Sequence, residues 1–200
     1  MYYLEQATEK HLDEIVDIYM NDLNVAILTY FGRGFIYKMC LDLIERKCAT
    51  VACLDSGKVI GFIFSVSDNT HLYKYLNFDS LFSLFKKVIF SYSALKTFIL
   101  SFFLIFLGRD KVKSNIGRAL ELAHFAVLGE YKGKGIGTDL LNDFEYKAMI
   151  EGFNCVFTSS HNKSLVDFYV RTRSAKFLYQ TNVGGYTSYG VIWELKNKLY

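Results

Sequence analysis

Apolar residues recur along this chain with two different periods. Leu12, Ile15, Val16, Tyr19 and Leu23 fall at spacings of three and four, which predicts a helix with one buried face, and Thr8 is placed to cap it. Phe35, Ile36, Met39, Leu43 and Ile44 repeat the pattern and predict a second helix over residues 34–47. Strand-like runs precede and follow this pair, at residues 2–7, 50–54 and 59–66, the last two joined by the hairpin signal Asp55-Ser56-Gly57-Lys58. Farther on, Leu122 to Leu128 reads as a short apolar strand. A helix with Leu140, Leu141, Phe144, Ala148 and Met149 on its inner side follows, ending near Gly152. Residues 154–158 then predict a buried strand, and the polar turn from Ser159 leads into a further helix carrying Phe168 and Tyr169. Residues 175–180 and 186–195 read as a closing strand pair, with the bend at 182–185.

Residues 71–115 depart from this alternation. Leu81, Phe85, Val88, Tyr92, Leu95, Ile99, Phe102 and Phe106 lie at spacings 4-3-4-3-4-3-4, a single helical stripe widened by Phe82, Ile89, Phe98, Phe103 and Ile105. Twenty mostly apolar residues, 88–107, approach the length that spans a bilayer. Lys96 stands near the middle, however, and a central lysine costs about 2.5–3.5 kcal/mol on insertion. Basic residues flank both ends (Lys86 and Lys87; Arg109, Lys111 and Lys113), so no orientation is favoured. A membrane contact through 81–107 is therefore a lesser reading. The preferred one is a helical insertion that packs on the domain, walls a pocket or forms a dimer face.

Composition narrows the class. Two hundred residues with 52% apolar content are enough for one domain with a proper core. A net charge of +3, without a run of basic residues among aromatics, argues against nucleic acid. Cys40, Cys48, Cys53 and Cys155 form no C-x-x-C pair, so the expectation is free thiols in a reducing cytoplasm and no metal site. The first residues, Met1-Tyr2-Tyr3-Leu4-Glu5, do not read as a signal peptide. Proline is absent, and the 15 Tyr and 18 Phe predict aromatic-rich packing or an exposed interface.

The candidate chemistry begins after the strand at 122–128, in Lys132-Gly133-Lys134-Gly135-Ile136-Gly137-Thr138. Three alternate glycines let a backbone turn tightly and bring its N–H groups close to a ligand. The start of a helix adds unpaired donors and the positive end of the dipole, and two lysines add charge. Such a loop suits a phosphate or pyrophosphate. A Walker loop would need Lys then Ser or Thr after the last glycine, and a Rossmann turn would need a wider last spacing; neither fits. A plain glycine connection remains the alternative.

The order strand, Lys132-x-x-Gly135-x-Gly137, helix resembles the acyl-CoA pyrophosphate loop of the GNAT (Gcn5-related N-acetyltransferase) superfamily, with Lys132 in place of the usual Arg or Gln and Gly129 where Pro is common. Some 30 residues on, the segment from Asn162 to Phe168-Tyr169 resembles the second signature of that family. Downstream, Arg171-Thr172-Arg173-Ser174 stands where the family has Gly-Phe, which puts the end of that helix in doubt. The resemblance covers roughly residues 1–67 and 116–195.

It implies an α/β (α+β) fold: a mixed sheet of six or seven strands, splayed at the acyl-CoA strand and flanked by helices, here one domain over 1–200 with a helical insertion at 71–115. It also implies acetyl-CoA or another acyl-CoA as co-substrate. By position, backbone groups of Phe125 and Val127 would pair with pantetheine, and Lys132, Gly133, Lys134, Gly135, Ile136, Gly137 and Thr138 would hold the pyrophosphate. Asn162 would contact the pantetheine arm. Tyr169 would protonate the leaving thiolate, against the alternative of a core tyrosine with a satisfied hydroxyl. Glu121, at the start of the strand, would serve as base or order a water relay; an exposed strand-end carboxylate is the competing reading. His124, on the opposite face, reads as a core histidine, and His161 as a loop residue. The implied activity is N-acylation of a small amine, with a nucleotide-linked amino sugar as first choice. The rival class is a non-catalytic CoA-binding or membrane-peripheral protein on the same fold.

Overall fold

The computed structural model describes residues 1–23, 27–66, 75, 118–183 and 186–195. The helical stripe expected at 81–107, and His71, lie outside the described residues. Among the described residues there are seven strands: β1 (Tyr2–Gln6), β2 (Ala49–Leu54), β3 (Val59–Val66), β4 (Ala119–Val127), β5 (Cys155–Ser160), β6 (Lys176–Val183) and β7 (Tyr186–Glu194). The α-helices among the described residues are α1 (Leu12–Asp22), α2 (Arg33–Glu45), α3 (Ile136–Ile150) and α4 (Lys163–Arg173). The strands form one mixed sheet in the order β1-β2-β3-β4-β5-β7-β6, and β4 runs parallel to β5. No helix among the described residues is long and apolar enough to cross a membrane. The chain divides into two compact units, Met1–Phe90 with Ala123–Phe144 and Ser91–Leu122 with Glu145–Tyr200, so that β4 and α3 each contribute to both.

In the first unit, β2 and β3 are buried along almost their whole length, and their sequences accordingly read as continuous apolar runs with no alternation. Gly57, at φ +85°, turns the hairpin between them, and its amide donates to the Leu54 carbonyl at 2.8 Å. Helix α1 buries Leu12, Ile15, Val16, Ile18 and Tyr19; α2 buries Phe35, Ile36, Met39, Cys40, Leu43 and Ile44. These faces meet β3 and the second half of β4 in the main apolar cluster, with Tyr19 stacked on Phe62 at 6.3 Å. Gly61 of β3 eases close strand approach, because a Cβ there would sit a tight 3.0 Å from the Ala126 carbonyl oxygen.

Thr8 is a cap as expected, the N-cap of a 3₁₀ turn, Glu9–His11, that runs directly into α1. Its backbone N–H donates to His11 Nδ1 at 3.1 Å. The neutral ring therefore carries its proton on Nε2 and donates it to Glu5 Oε1 at 3.1 Å. Glu5, His11 and Cys53 bring ligand-type atoms within 4.8 Å of one another. The Thr8 amide at Nδ1 makes this a hydrogen-bonded histidine, since a metal on Nε2 would require the proton at Nδ1.

Burial lowers the His11 pKa below 6.5, against the raising effect of Glu5. The unfolded chain then binds more protons than the folded one just below that pH, so stability falls as pH drops through the window beneath 6.5. Glu5 is depressed below 4.5, where Lys10 and His11 outweigh its burial, and titrates in a lower window. Urea unfolding from pH 7 to 5 is expected to show this slope, and His11→Gln to remove it.

In the second unit, β5 pairs antiparallel with β7, and β7 with β6, where the register shifts between Phe177 and Tyr179. The Tyr179 ring covers Gly190: a Cβ at 190 would lie 2.2 Å from its Cε1. Helix α4 ends at Arg173, with Ser174 in the left-handed conformation (φ 53°) and its amide donating to the Tyr169 carbonyl. This is the position glycine normally fills at a helix C-terminus. An L-residue there costs about 1 kcal/mol. Ser174→Gly is therefore expected to raise the unfolding midpoint by about 2–4 °C, read by thermal denaturation.

Candidate active site

Strand β4 leads through a 3₁₀ turn, Gly129–Tyr131, into the glycine loop and α3. Gly133 (φ +79°) and Gly135 (φ +86°) take left-handed conformations, and nothing lies within 4 Å of a Cβ built at either. The Gly135 carbonyl accepts from Thr138 N–H at 2.9 Å and from Asp139 N–H at 3.0 Å, which closes the first turn of α3. The amides of residues 133 to 137 take part in none of the hydrogen bonds among the described residues. The Thr138 amide is thus engaged within the first turn. Gly137 serves a different purpose from the other two glycines. Its φ is ordinary, and a Cβ would lie 3.1 Å from Phe125 Cζ, so this glycine makes room for the Phe125 ring. Ile136 is buried and offers the loop its amide alone.

Both lysines are exposed. Lys132 Nζ lies 3.9 Å from the Asp22 carboxylate, and Lys134 Nζ sits over the Tyr131 ring at 4.9 Å. The Leu128 N–H donates to the Ile60 carbonyl of β3 at 2.9 Å. Successive strand amides point to opposite edges, so the Val127 and Phe125 amides point away from β3. Their side chains both approach Gly137.

In the second unit the β4–β5 ladder covers three pairs, Ala119↔Cys155 to Glu121↔Phe157. Beyond it the Thr158 hydroxyl donates to the Leu122 carbonyl at 2.8 Å. The side-chain hydroxyl thus caps the end of the parallel ladder. Glu121 is 7% exposed, which replaces the alternative of an exposed strand-end carboxylate with a buried one. Asn162 is exposed and caps α4: its Oδ1 accepts from Leu165 N–H at 3.3 Å, while its own N–H donates to Ser160 Oγ at 3.0 Å. The capping bond orients the side chain and leaves the Nδ2 amide as its free end.

Tyr169 is fully buried, and its hydroxyl is the one buried side-chain polar atom among the described residues with no hydrogen-bond partner. No protein group supplies the hydrogen bond that the alternative, a core tyrosine with a satisfied hydroxyl, would call for. Burial holds the phenol far above its ordinary pKa, so it stays protonated at neutral pH. A buried hydroxyl without a partner costs stability unless something external completes it.

Residues 12–173 match the family model of the acetyltransferase (GNAT) family. The chain belongs to that family. The GNAT fold recurs in solved structures: a mosquito arylalkylamine N-acetyltransferase-like protein (13% identity, 98% of this chain and 100% of that chain, TM-score 0.66) and an agmatine N-acetyltransferase variant (11%, 98% and 100%, 0.65). A Drosophila melanogaster polyamine N-acetyltransferase aligns likewise (9%, 98% and 100%, 0.60). No curated protein matches the sequence.

This GNAT chain also contains a group that sequence reasoning missed. Glu145 Oε1, on α3, accepts from Trp193 Nε1 at 2.7 Å and from Arg173 Nε at 2.6 Å. The Trp193 ring in turn stacks on Tyr169, with centroids 5.2 Å apart and planes 18° apart. Residues 145, 173 and 193 share no local pattern. The only available hints were that Arg173 follows Tyr169 by one helical turn and that Trp193 is the sole tryptophan. His124 is half-buried beside the core: its Nδ1 lies 3.2 Å from the Tyr19 hydroxyl, and its ring packs edge-on against Tyr19 and Phe64. His161 Nδ1 lies 3.0 Å from the Thr187 carbonyl, as a loop residue.

Proposed function

We propose that this GNAT acetyltransferase moves an acetyl or other short acyl group from coenzyme A to the primary amine of a small acceptor by direct attack. The observation that carries the reading is the run of unbonded amides at 133 to 137, on two left-handed glycines at the start of a 15-residue helix. Unpaired N–H donors at the positive end of a helix dipole favour a diphosphate, and Lys132 and Lys134 add charge. Residues 125 and 127 direct amides away from β3 and so offer donors to an extended amide-containing arm. Asn162 Nδ2 is a further donor for that arm.

Acetyl-CoA supplies the acyl group as a thioester. An N–C bond forms to the acceptor nitrogen as the C–S bond breaks. The buried Glu121 carboxylate takes the proton that the acceptor nitrogen loses. The Tyr169 phenol, protonated and without a protein partner, gives its proton to the departing sulfur and recovers one from water. Solved structures with this fold are described as acting on arylalkylamines, agmatine and polyamines, which supports a small amine as acceptor. A nucleotide-linked amino sugar is the narrower version of the proposal, and a second copy of the chain is the proposed partner.

Two measurements test this. CoA and acetyl-CoA, unlike ATP or NAD, are expected to raise the unfolding midpoint. Thiol release from acetyl-CoA is then expected with at least one amine from a panel of arylalkylamines, agmatine, polyamines and amino-sugar nucleotides. A CoA-stabilised protein that releases no thiol with any primary amine would indicate a binding protein on this fold.

A further inference from the structure

Tyr169 is held by its ring and not by its hydroxyl. A buried phenol is ordinarily fixed at its far end by a hydrogen bond, and this one makes none. The direction of the O–H therefore follows the plane of the ring, and that plane lies on the indole of Trp193, 18° from parallel. The indole is not free to turn, because its Nε1–H is bound to Glu145 Oε1 at 2.7 Å. The same oxygen receives Arg173 Nε at 2.6 Å, and Arg173 lies one turn beyond Tyr169 on α4. One carboxylate oxygen thus grips both the helix that carries the phenol and the ring beneath it. The Arg173–Glu145 pair is largely out of solvent, with side chains 11% and 15% exposed, so its charge-assisted bond is little weakened by water.

We propose that Trp193, anchored by Glu145 and Arg173, is a positioning residue that aims the Tyr169 phenol; the inference rests on the reading of Tyr169 as proton donor. Proton transfer needs the donor within hydrogen-bond reach of the acceptor atom. A misplacement of about 1 Å can cost about 10²-fold in rate, so a ring platform that fixes the phenol acts on kcat and leaves substrate affinity alone.

Trp193→Phe keeps an aromatic ring for the stack and removes the N–H that fixes it. Assayed in the whole protein with acetyl-CoA and the best amine of the panel, W193F is expected to lower kcat about tenfold while KM for acetyl-CoA changes less than about twofold. In the Tyr169→Phe background the same change is expected to have almost no further effect, because a residue that acts through another loses its influence once the other is gone. Equal fold losses in the two backgrounds would show a merely structural role and overturn the proposal, as would wild-type kcat in W193F. If W193F does not fold, Glu145→Gln, which keeps the shape and drops the charge, decides by the same comparison. A Tyr169→Phe enzyme with undiminished kcat would remove the proton-donor role itself. A drop there with W193F and E145Q both inert would remove only the positioning role.

Discussion

Replacing Tyr169 by Phe is expected to lower kcat about 10²-fold or more, the usual range for losing a positioned proton donor, while acetyl-CoA affinity stays within about twofold. The variant is also expected to be at least as stable as the parent. The phenylalanine ring still fills the space against Trp193 and leaves no cavity, and the deleted oxygen is a buried hydroxyl with no partner. Removing an unsatisfied buried polar group recovers its desolvation cost, about 1 kcal/mol or more, which corresponds to about 2–4 °C in a domain of this size. A tyrosine kept for packing would show the opposite pair: activity retained and stability lost. The pH dependence adds a second reading. Burial holds the phenol above its ordinary value of 10, so no alkaline fall in kcat below that pH is expected to come from this residue. Steady-state kinetics and a melting curve on the same preparation test all three statements. Turnover unchanged in Y169F would end the assignment.

The parts of this fold legible in the sequence are those that depend on local periodicity. The buried faces of α1 and α2 follow the three-and-four spacing of their apolar residues, and β2 and β3 follow apolar runs joined at Gly57, with ends shifted by only a few residues. The tight backbone at 133 and 135 was legible because a left-handed φ is a backbone property, written in residues that lack a Cβ. What was not legible depends on distant neighbours. Nothing near Gly137 in the sequence says that it serves the Phe125 ring, twelve positions earlier, where Gly133 and Gly135 serve φ. Asn162 carries a local signal, an Asn before an amphipathic helix, and the structure reads it as a cap as well as a candidate donor. The end of α4 was obscured because serine occupies a left-handed position usually marked by glycine. Glu145, Arg173 and Trp193 meet only after α3, α4 and β7 have packed. A polar group assembled that way leaves no spacing to detect.

Gly135→Ala is expected to raise KM for acetyl-CoA about tenfold, equivalent to about 1.4 kcal/mol, with kcat at saturation changed little. The methyl group itself meets nothing, since no atom lies within 4 Å of its position. The cost is conformational: at φ +86° an L-residue is strained by about 1–2 kcal/mol, and relaxing that strain rotates the peptide planes on either side. Those planes carry the amides of 135 and 136 and the carbonyl that closes the first turn of α3 on Thr138 and Asp139. Rotation therefore re-aims those two amides and frays the helix end that the proposal assigns to the diphosphate. Gly129→Ala is the matched control, because its Cβ would also meet nothing and its φ is ordinary. Inorganic pyrophosphate should compete with acetyl-CoA in the wild type and in Gly129→Ala, and compete poorly in Gly135→Ala. An unchanged KM with reduced kcat in Gly135→Ala would mean that the loop does not grip the diphosphate. The binding of coenzyme A would then have to be sought elsewhere on the chain.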